Sequence, residues 1–387
     1  MNSGSQYYIP NLELRKKINE VSNNNLSICY QCSSCTGICP LNMLFRFNPR
    51  EIIRWGQIGI ELPEMESLWK CTACGACEFV CPKNVKITEV IKAYRSQMME
   101  SGKDVPPSIA RTLEAFFTQG NPFNLRAKDR LDWTKDFGEN VPIAKEGTDV
   151  LYFVGCTASY DPRSQGIAKA LAKIFNHTQI NWGLIGNDEK ECGNCVNFMG
   201  EYDLSDFHKE ENLISLKKIK PSIIVTTSPH SFNFIKNHYN LPESTKVYHY
   251  TQILDIFIKE GTLQFKDGAQ EQKITFHDPC FLGRHNKVYD EPRRVLESVP
   301  GVELVEMKNN RELSICCGGG SGNAWRETEV GERLSIPRLE EAMDTGASVL
   351  TTSCYFCLQM FEDAVKVTNN DEKIKIKDIA EIVSEAI

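Results

Sequence analysis

The sequence predicts an α-helical domain built around cysteine-rich loops, followed by a duplicated α/β unit that is itself rich in cysteine. Three observations predict it. Two runs with the spacing C-x2-C-x2-C-x3-C-P (Cys29, Cys32, Cys35, Cys39 and Cys71, Cys74, Cys77, Cys81) lie among stretches whose apolar residues recur at helical intervals. From Asp149 onward, short β-type runs alternate with apolar helical stretches. Cys156, Cys192 and Ser228 then recur as Cys280, Cys317 and Cys354 at an offset of about 125 residues, the mark of an internal repeat.

Composition narrows the class. The chain has 387 residues, 41% of them hydrophobic, enough for two or three domains with sizeable cores. A formal net charge of -7 offers no basic footprint for nucleic acid. No run approaches the roughly 18 apolar residues of a membrane span, and the amino terminus has no charged start before an apolar core. Neither a direct span nor a secretory signal is expected. Sixteen cysteines in a chain of this size read as metal ligands inside a cell rather than as a disulfide framework. The expected location is therefore cytoplasmic, or peripheral at the inner face of the membrane through a partner.

Residues 1–100 are the expected cluster domain. The spacer between Cys39 and Cys71 reads as a helix, with Asn48 as N-cap, Pro49 at the first helical position, Glu51 early and Ile52, Ile53 and Trp55 apolar. After Cys81 a second helix carries Val85, Ile87, Val90, Ile91 and Tyr94 on one face. The cysteine spacing is the one with which bacterial-type ferredoxins hold cubane [4Fe–4S] clusters: one tight loop caps three corners and a distant thiolate caps the fourth. In two-cluster ferredoxins that fourth cysteine serves the other run's cluster. Cys29, Cys32, Cys35 and Cys81 are thus expected to hold one cubane, and Cys71, Cys74, Cys77 and Cys39 the second. A four-cysteine zinc site is the alternative, and it leaves half of these thiols without a use.

Residues 101–147 read as a linker with a helix in it, where Pro106, Pro107, Gly120 and Pro122 surround the apolar Leu113, Phe116 and Phe117. Trp133 there reads as packing. Residues 148–268 and 269–387 are the two α/β units, with strands expected at 150–154, 223–227, 274–276 and 348–352. Their special residues stand at the carboxyl ends of strands, where open α/β sheets bind ligands.

In the second unit Cys280, the adjacent Cys316 and Cys317, and Cys354 and Cys357 are joined by a glycine-rich turn, Gly318 to Gly320 and Gly322. Adjacent cysteines suit a cluster better than zinc, because neighbouring side chains diverge. The glycines let backbone N–H groups approach sulfur. These residues resemble the cysteine-rich CCG domain of heterodisulfide reductases and of their relatives in lactate, glycolate, glycerol-3-phosphate and flavoprotein-linked electron transfer. The amino-terminal part resembles the small cluster subunit of heterodisulfide reductase at Cys29 to Cys32, Asn48 to Arg50 and Val85 to Thr88. The order of parts resembles the fused catalytic subunit of the two-subunit, membrane-linked enzyme, over nearly the whole chain. The resemblance implies a noncubane [4Fe–4S] cluster at which disulfides are split, with Cys280, Cys316, Cys317, Cys354 and Cys357 as ligands and catalytic centre.

The first unit departs from that pattern. Glu191 and Cys192 replace the cysteine pair, and Ser228 and Ser231 stand where C-x2-C is expected. Cys195 is an extra thiol, so Cys156, Cys192, Cys195 and His230 form a candidate zinc set. The alternative is a metal-free remnant kept for packing and partner docking. His277 and His285 flank Cys280 as candidates for proton delivery, and Asp278 reads as a turn residue before Pro279.

Three functional readings result. In the first, the protein is an iron–sulfur oxidoreductase subunit that passes electrons through the two cubanes to or from the noncubane cluster, for disulfide and thiol redox chemistry. In the second, it relays electrons between a flavoprotein dehydrogenase or electron-transfer flavoprotein and a membrane quinone pool. Both require a redox partner, either a flavoprotein or a membrane cytochrome or quinone-reactive subunit. The third, a zinc-bearing scaffold, has no use for most of the cysteines.

Overall fold

Helix α1 (Leu12–Val21) begins at Asn11, whose side chain accepts the Leu14 N–H and so satisfies one of the free donors of the first turn. The computed structural model describes residues 9–60, 65–266 and 271–387. Helix α2 (Pro49–Ile58) opens as expected, with Asn48 accepting from Glu51 N–H and Pro49 at the first position, and it stops at Gly59 in the left-handed conformation. Helix α3 (Ile87–Ser101) packs against both, burying Val90, Ile91, Ala93 and Tyr94. Val85 is buried too, but it precedes the helix that the sequence pattern assigned it to.

Helix α4 (Pro107–Gln119) buries Ile109, Leu113 and Phe116, and the Phe116 ring meets Trp325 edge-on at 5.6 Å. The segment read as a linker is therefore fastened to the α/β units. Trp133 is buried, and Arg130 beside it reaches the first unit's cysteines.

The two units are copies. Strands β1 (Val150–Phe153), β2 (Trp182–Leu184), β3 (Ile223–Thr226) and β4 (Lys246–His249) form a parallel sheet in the order β2-β1-β3-β4. Strands β5 (Gln272–Phe276), β6 (Val302–Val305), β7 (Val349–Thr352) and β8 (Lys375–Asp378) repeat it as β6-β5-β7-β8. Val150 lies opposite Trp182 and Ile223, and Ile274 opposite Leu304 and Val349. The strands read from sequence are the central pair of each sheet, whose runs are apolar because both faces are covered. The units join through α5 (Gln165–Thr178) and α6 (Ile379–Glu385), a contact fastened by Arg163 on Glu381 at 2.6 Å and by the Tyr250 hydroxyl on Asp378 at 2.6 Å. Cys156, Ser228, Cys280 and Cys354 all follow the carboxyl ends of central strands.

Candidate functional site

The two amino-terminal cysteine loops are conformational copies. Gln31 and Ser33 in the first, and Ala73 and Gly75 in the second, adopt left-handed backbone at matching places, with φ of 64° and 74° and of 51° and 75°. Each loop thereby turns its thiols to one side before a short helical turn, Ser34–Ile38 or Ala76–Phe79. Cys39 comes within electrostatic reach of Cys74 and Cys71, and Cys77 within reach of Cys74, Cys71 and Cys39. Around Tyr30 the structure gathers Cys32, Cys81 and Cys29, and Cys35 lies within reach of Cys29 and Cys32. Cys39 thus sits with Cys71, Cys74 and Cys77, and Cys81 shares the surroundings of Tyr30 with Cys29 and Cys32. Backbone N–H groups reach sulfur at 3.4 Å, from Ala73 to Cys71 and from Val85 to Cys81.

The carboxy-terminal set gathers beside the second loop. Cys316 is in hydrogen-bonding range of Cys280, Cys317 and Cys74, and Cys357 of Cys317 and Cys354. Gly318 N–H points at Cys316 Sγ at 3.4 Å, as the glycine-rich turn suggested. Thr72 Oγ1 is 3.4 Å from Cys316 Sγ, and a methyl group placed on Gly320 would collide with the Thr72 carbonyl oxygen. The backbones of the two loops therefore touch. Burial pushes the Cys71 thiol up to about 11 against the pull of Arg95, whereas hydrogen bonds from Cys316 and Cys357 bring Cys317 down to about 5.

A cavity of about 430 Å³ opens on this set. Cys317, Gly318 and Thr72 form one wall, and Phe45, Trp325 and Arg326 stand around it.

His277 and His285, the candidates for proton delivery, are held by Arg338 and by the Ala73 carbonyl. A ring nitrogen of His277 lies within 4.8 Å of the Cys317 and Cys357 thiols. Its Nδ1 accepts from Arg338 Nε at 3.2 Å, which leaves the proton on Nε2, and burial holds the ring neutral. His285 lies flat on Phe281 and meets the Ala73 carbonyl at 2.9 Å, so it clasps the second cluster loop. Asp278 accepts both Nη groups of Arg293, at 2.7 and 3.0 Å, and the Arg311 N–H.

In the first unit the candidate zinc residues Cys156, Cys192, Cys195 and His230 each lie among other protein groups. Among the described residues only His277, Cys317 and Cys357 bring three ligand atoms within 4.8 Å of one another. Arg130 sits 3.3 Å from Cys156 Sγ and pairs with Glu189 at 2.7 Å, and Glu189 accepts from Val154 and Gly155 N–H. Glu191 takes Cys192 Sγ at 3.4 Å and Cys195 N–H at 3.3 Å. His230 is turned to Asn194 at 3.1 Å and stacks on Phe281 at 4.0 Å.

Sequence reasoning missed the arginines. Arg95 Nη2 donates to the carbonyls of Leu68 and Cys71, and Arg284 Nε donates to the carbonyl of Cys74. No local signal marks them, because an arginine on an amphipathic helix or in a polar loop is ordinarily a solvated one.

The donor sets, two groups of four thiols on matching loops and five more beside the second, are soft thiolates in greater number than zinc sites use, the donor chemistry of iron–sulfur ligation. A 4Fe-4S dicluster domain matches residues 25–85, and a cysteine-rich domain matches twice, at 150–236 and 274–362. The fold and the site thus define an iron–sulfur protein of oxidoreductase type, one dicluster domain followed by two cysteine-rich domains. The chain's relatives include a subunit of a heterodisulfide reductase and a FadF-type iron–sulfur oxidoreductase. It is 36% identical over 331 residues to the probable iron-sulfur-binding oxidoreductase FadF of Bacillus subtilis, covering 83% of this chain and 47% of that protein. To the EtfAB:quinone oxidoreductase of Syntrophomonas wolfei it is 31% identical over 336 residues, 83% of this chain and 47% of that one. To one of the subunits of the dihydromethanophenazine:CoB--CoM heterodisulfide reductase of Methanosarcina barkeri it is 28% identical over 405 residues, 96% of each. The chain therefore spans about half the length of the first two relatives and nearly all of the third. Among the described residues no helix is long and apolar enough to cross a membrane.

Proposed function

We propose that this chain is an electron-transferring oxidoreductase subunit whose carboxy-terminal cysteine set performs thiol and disulfide redox chemistry. In this reading Cys29, Cys32, Cys35 and Cys81 hold one cubane, Cys71, Cys74, Cys77 and Cys39 a second, and Cys280, Cys316, Cys317, Cys354 and Cys357 a noncubane [4Fe–4S] cluster. Such groups supply one-electron transfer and, at the third site, an iron-rich surface that takes sulfur. Disulfide cleavage consumes two electrons and two protons and yields two thiols. What the chain itself supplies is positioning. Gly318 N–H and Thr72 hold Cys316, His277 lies beside Cys317 and Cys357, and the cavity at Cys317 has room for a small molecule.

The observation that carries this reading is the contact of Cys74 with Cys316, which makes the second loop and the carboxy-terminal set contiguous. The relay reading, between a flavoprotein and a quinone-reactive partner, is favoured by the name and the 31% identity of the quinone oxidoreductase. It would use the same two amino-terminal sets and leave the cavity without a substrate. Iron and acid-labile sulfide per chain, on protein purified without air, test the assignment. About twelve irons are expected, and about eight would remove the carboxy-terminal cluster and its chemistry.

A further inference from the structure

Five arginines are buried: Arg95, Arg130, Arg284, Arg293 and Arg338. Three of them have carboxylate partners, Glu189 for Arg130, Asp278 and Glu306 for Arg293, and Glu341 for Arg338. Arg95 and Arg284 have none within 4.0 Å among the described residues, although a buried guanidinium without an anion is among the costliest groups a protein can fold around.

Their hydrogen bonds run to carbonyl oxygens and one hydroxyl. Arg95, from α3, reaches the carbonyls of Leu68, Cys71 and Phe198 at 2.7 to 2.8 Å and the Ser321 hydroxyl, while its Nε has no partner. Arg284, from the loop after β5, reaches the carbonyls of Cys74, Glu312 and Ser314 at 2.7, 3.0 and 2.6 Å. The two unpaired cations thus converge from opposite domains on the same loop, one on Cys71 and the other on Cys74. Arg95 lies in the charge neighbourhood of Cys71, and Arg284 in that of Cys74, Cys280 and Cys316.

We infer that Arg95 and Arg284 are the counter-charges of the redox group held by Cys39, Cys71, Cys74 and Cys77, and that they raise its reduction potential above that of the group held by Cys29, Cys32, Cys35 and Cys81. A cubane with four cysteinate ligands is a net anion, and gaining an electron adds one more negative charge. A fixed cation beside it therefore favours the reduced form, and the low dielectric of a buried site strengthens that preference. No described arginine donates to the first loop's cysteine carbonyls, and a cation near that loop, Lys83, lies over the exposed Tyr30 ring at 5.9 Å, where water and salt screen it. Arg95 and Arg284 are positioning residues acting through the cysteine loop. The inference rests on the cubane assignment proposed above.

The test is an EPR-monitored redox titration of the intact, anaerobically purified chain, with the two cubane signals assigned by Cys77→Ser and Cys81→Ser. Arg95→Gln and Arg284→Gln are each expected to lower the reduced-to-oxidised ratio of the Cys77-dependent signal about tenfold at a fixed ambient potential, equivalent to about 59 mV for one electron. The Cys81-dependent signal should stay put. Arg95→Lys and Arg284→Lys keep the charge and should recover most of the shift, a rescue that a merely structural clamp would not show. Arg95→Met and Arg284→Met, apolar and of similar length, provide the same comparison where a glutamine variant fails to fold. An unchanged Cys77-dependent potential with full iron content, or equal shifts in the Lys and Gln variants, would overturn the inference. Absence of any Cys77-dependent signal in the wild-type chain would instead overturn the cubane assignment.

Discussion

Arg130 and Glu189 meet in the first cysteine-rich unit with both side chains almost wholly out of water. Removing one partner of such a pair leaves the other charged and unpaired. Arg130→Met should therefore cost about 3–5 kcal/mol in urea unfolding, and the double change with Glu189→Gln should recover much of that loss. Asp378 makes a separate prediction. Burial raises its carboxyl to about 8, against the pull of the Tyr250 hydroxyl and Ala380 N–H. In the unfolded chain it ionises near pH ~4. Between those values the folded state holds a proton that the unfolded state has lost, so this group's contribution to stability falls as pH rises. Asp378→Asn should flatten the decline in urea midpoint between about pH 5 and about pH 8. None of this was legible in the sequence. The charge on Arg130 or Asp378 says nothing about burial, which is decided by what the chain packs there from far away. Nor did the sequence show the surroundings of His230, whose ring bonds to Asn194 and stacks on Phe281.

At the scale of elements, what the sequence showed was what repeats. The central strands β1, β3, β5 and β7 were readable because burial on both faces leaves no polar alternation to confuse the pattern. The flanking strands β2, β4, β6 and β8 escaped: β2 is three residues with a glycine in the middle, and β4, β6 and β8 carry polar residues such as Lys246, Glu303 and Lys375. The cysteine loops were legible as spacing, and their matching left-handed residues were not, since Gln31 and Ala73, unlike glycine or asparagine, do not signal such backbone. The glycine-rich turn after Cys317 supplies a prediction at this scale. Gly320→Ala forces a methyl group against the Thr72 carbonyl and should cost about 1–3 kcal/mol, because backbone rather than a flexible side chain has to yield. Gly331→Ala, with nothing within 4 Å of the added carbon, should change stability by no more than ~0.5 kcal/mol. Parallel urea titrations of the two variants make the comparison.

Across the whole molecule the thiols follow a gradient of exposure. Cys32 is exposed and its loop partners half-buried, Cys71 and Cys74 are buried, and the five carboxy-terminal cysteines are all buried. Iron held near Cys32 should therefore leave first when an external chelator is added in air. A fast phase of about four irons is expected, and Cys81→Ser should remove that phase and spare the slower ones. Iron release followed by absorbance of the chelate provides the readout. The close approach of Gly320 to Thr72 has a consequence for time as well as for space. Electron tunnelling weakens exponentially with separation, so a hinge between two redox loops would make transfer wait on domain motion. Here backbone rests on backbone, and Arg284 ties the second loop to the unit that carries the carboxy-terminal thiols. On the proposed assignment an electron crossing from this loop to the carboxy-terminal thiols has no hinge to wait for, and its transfer rate should be the same in water as in glycerol.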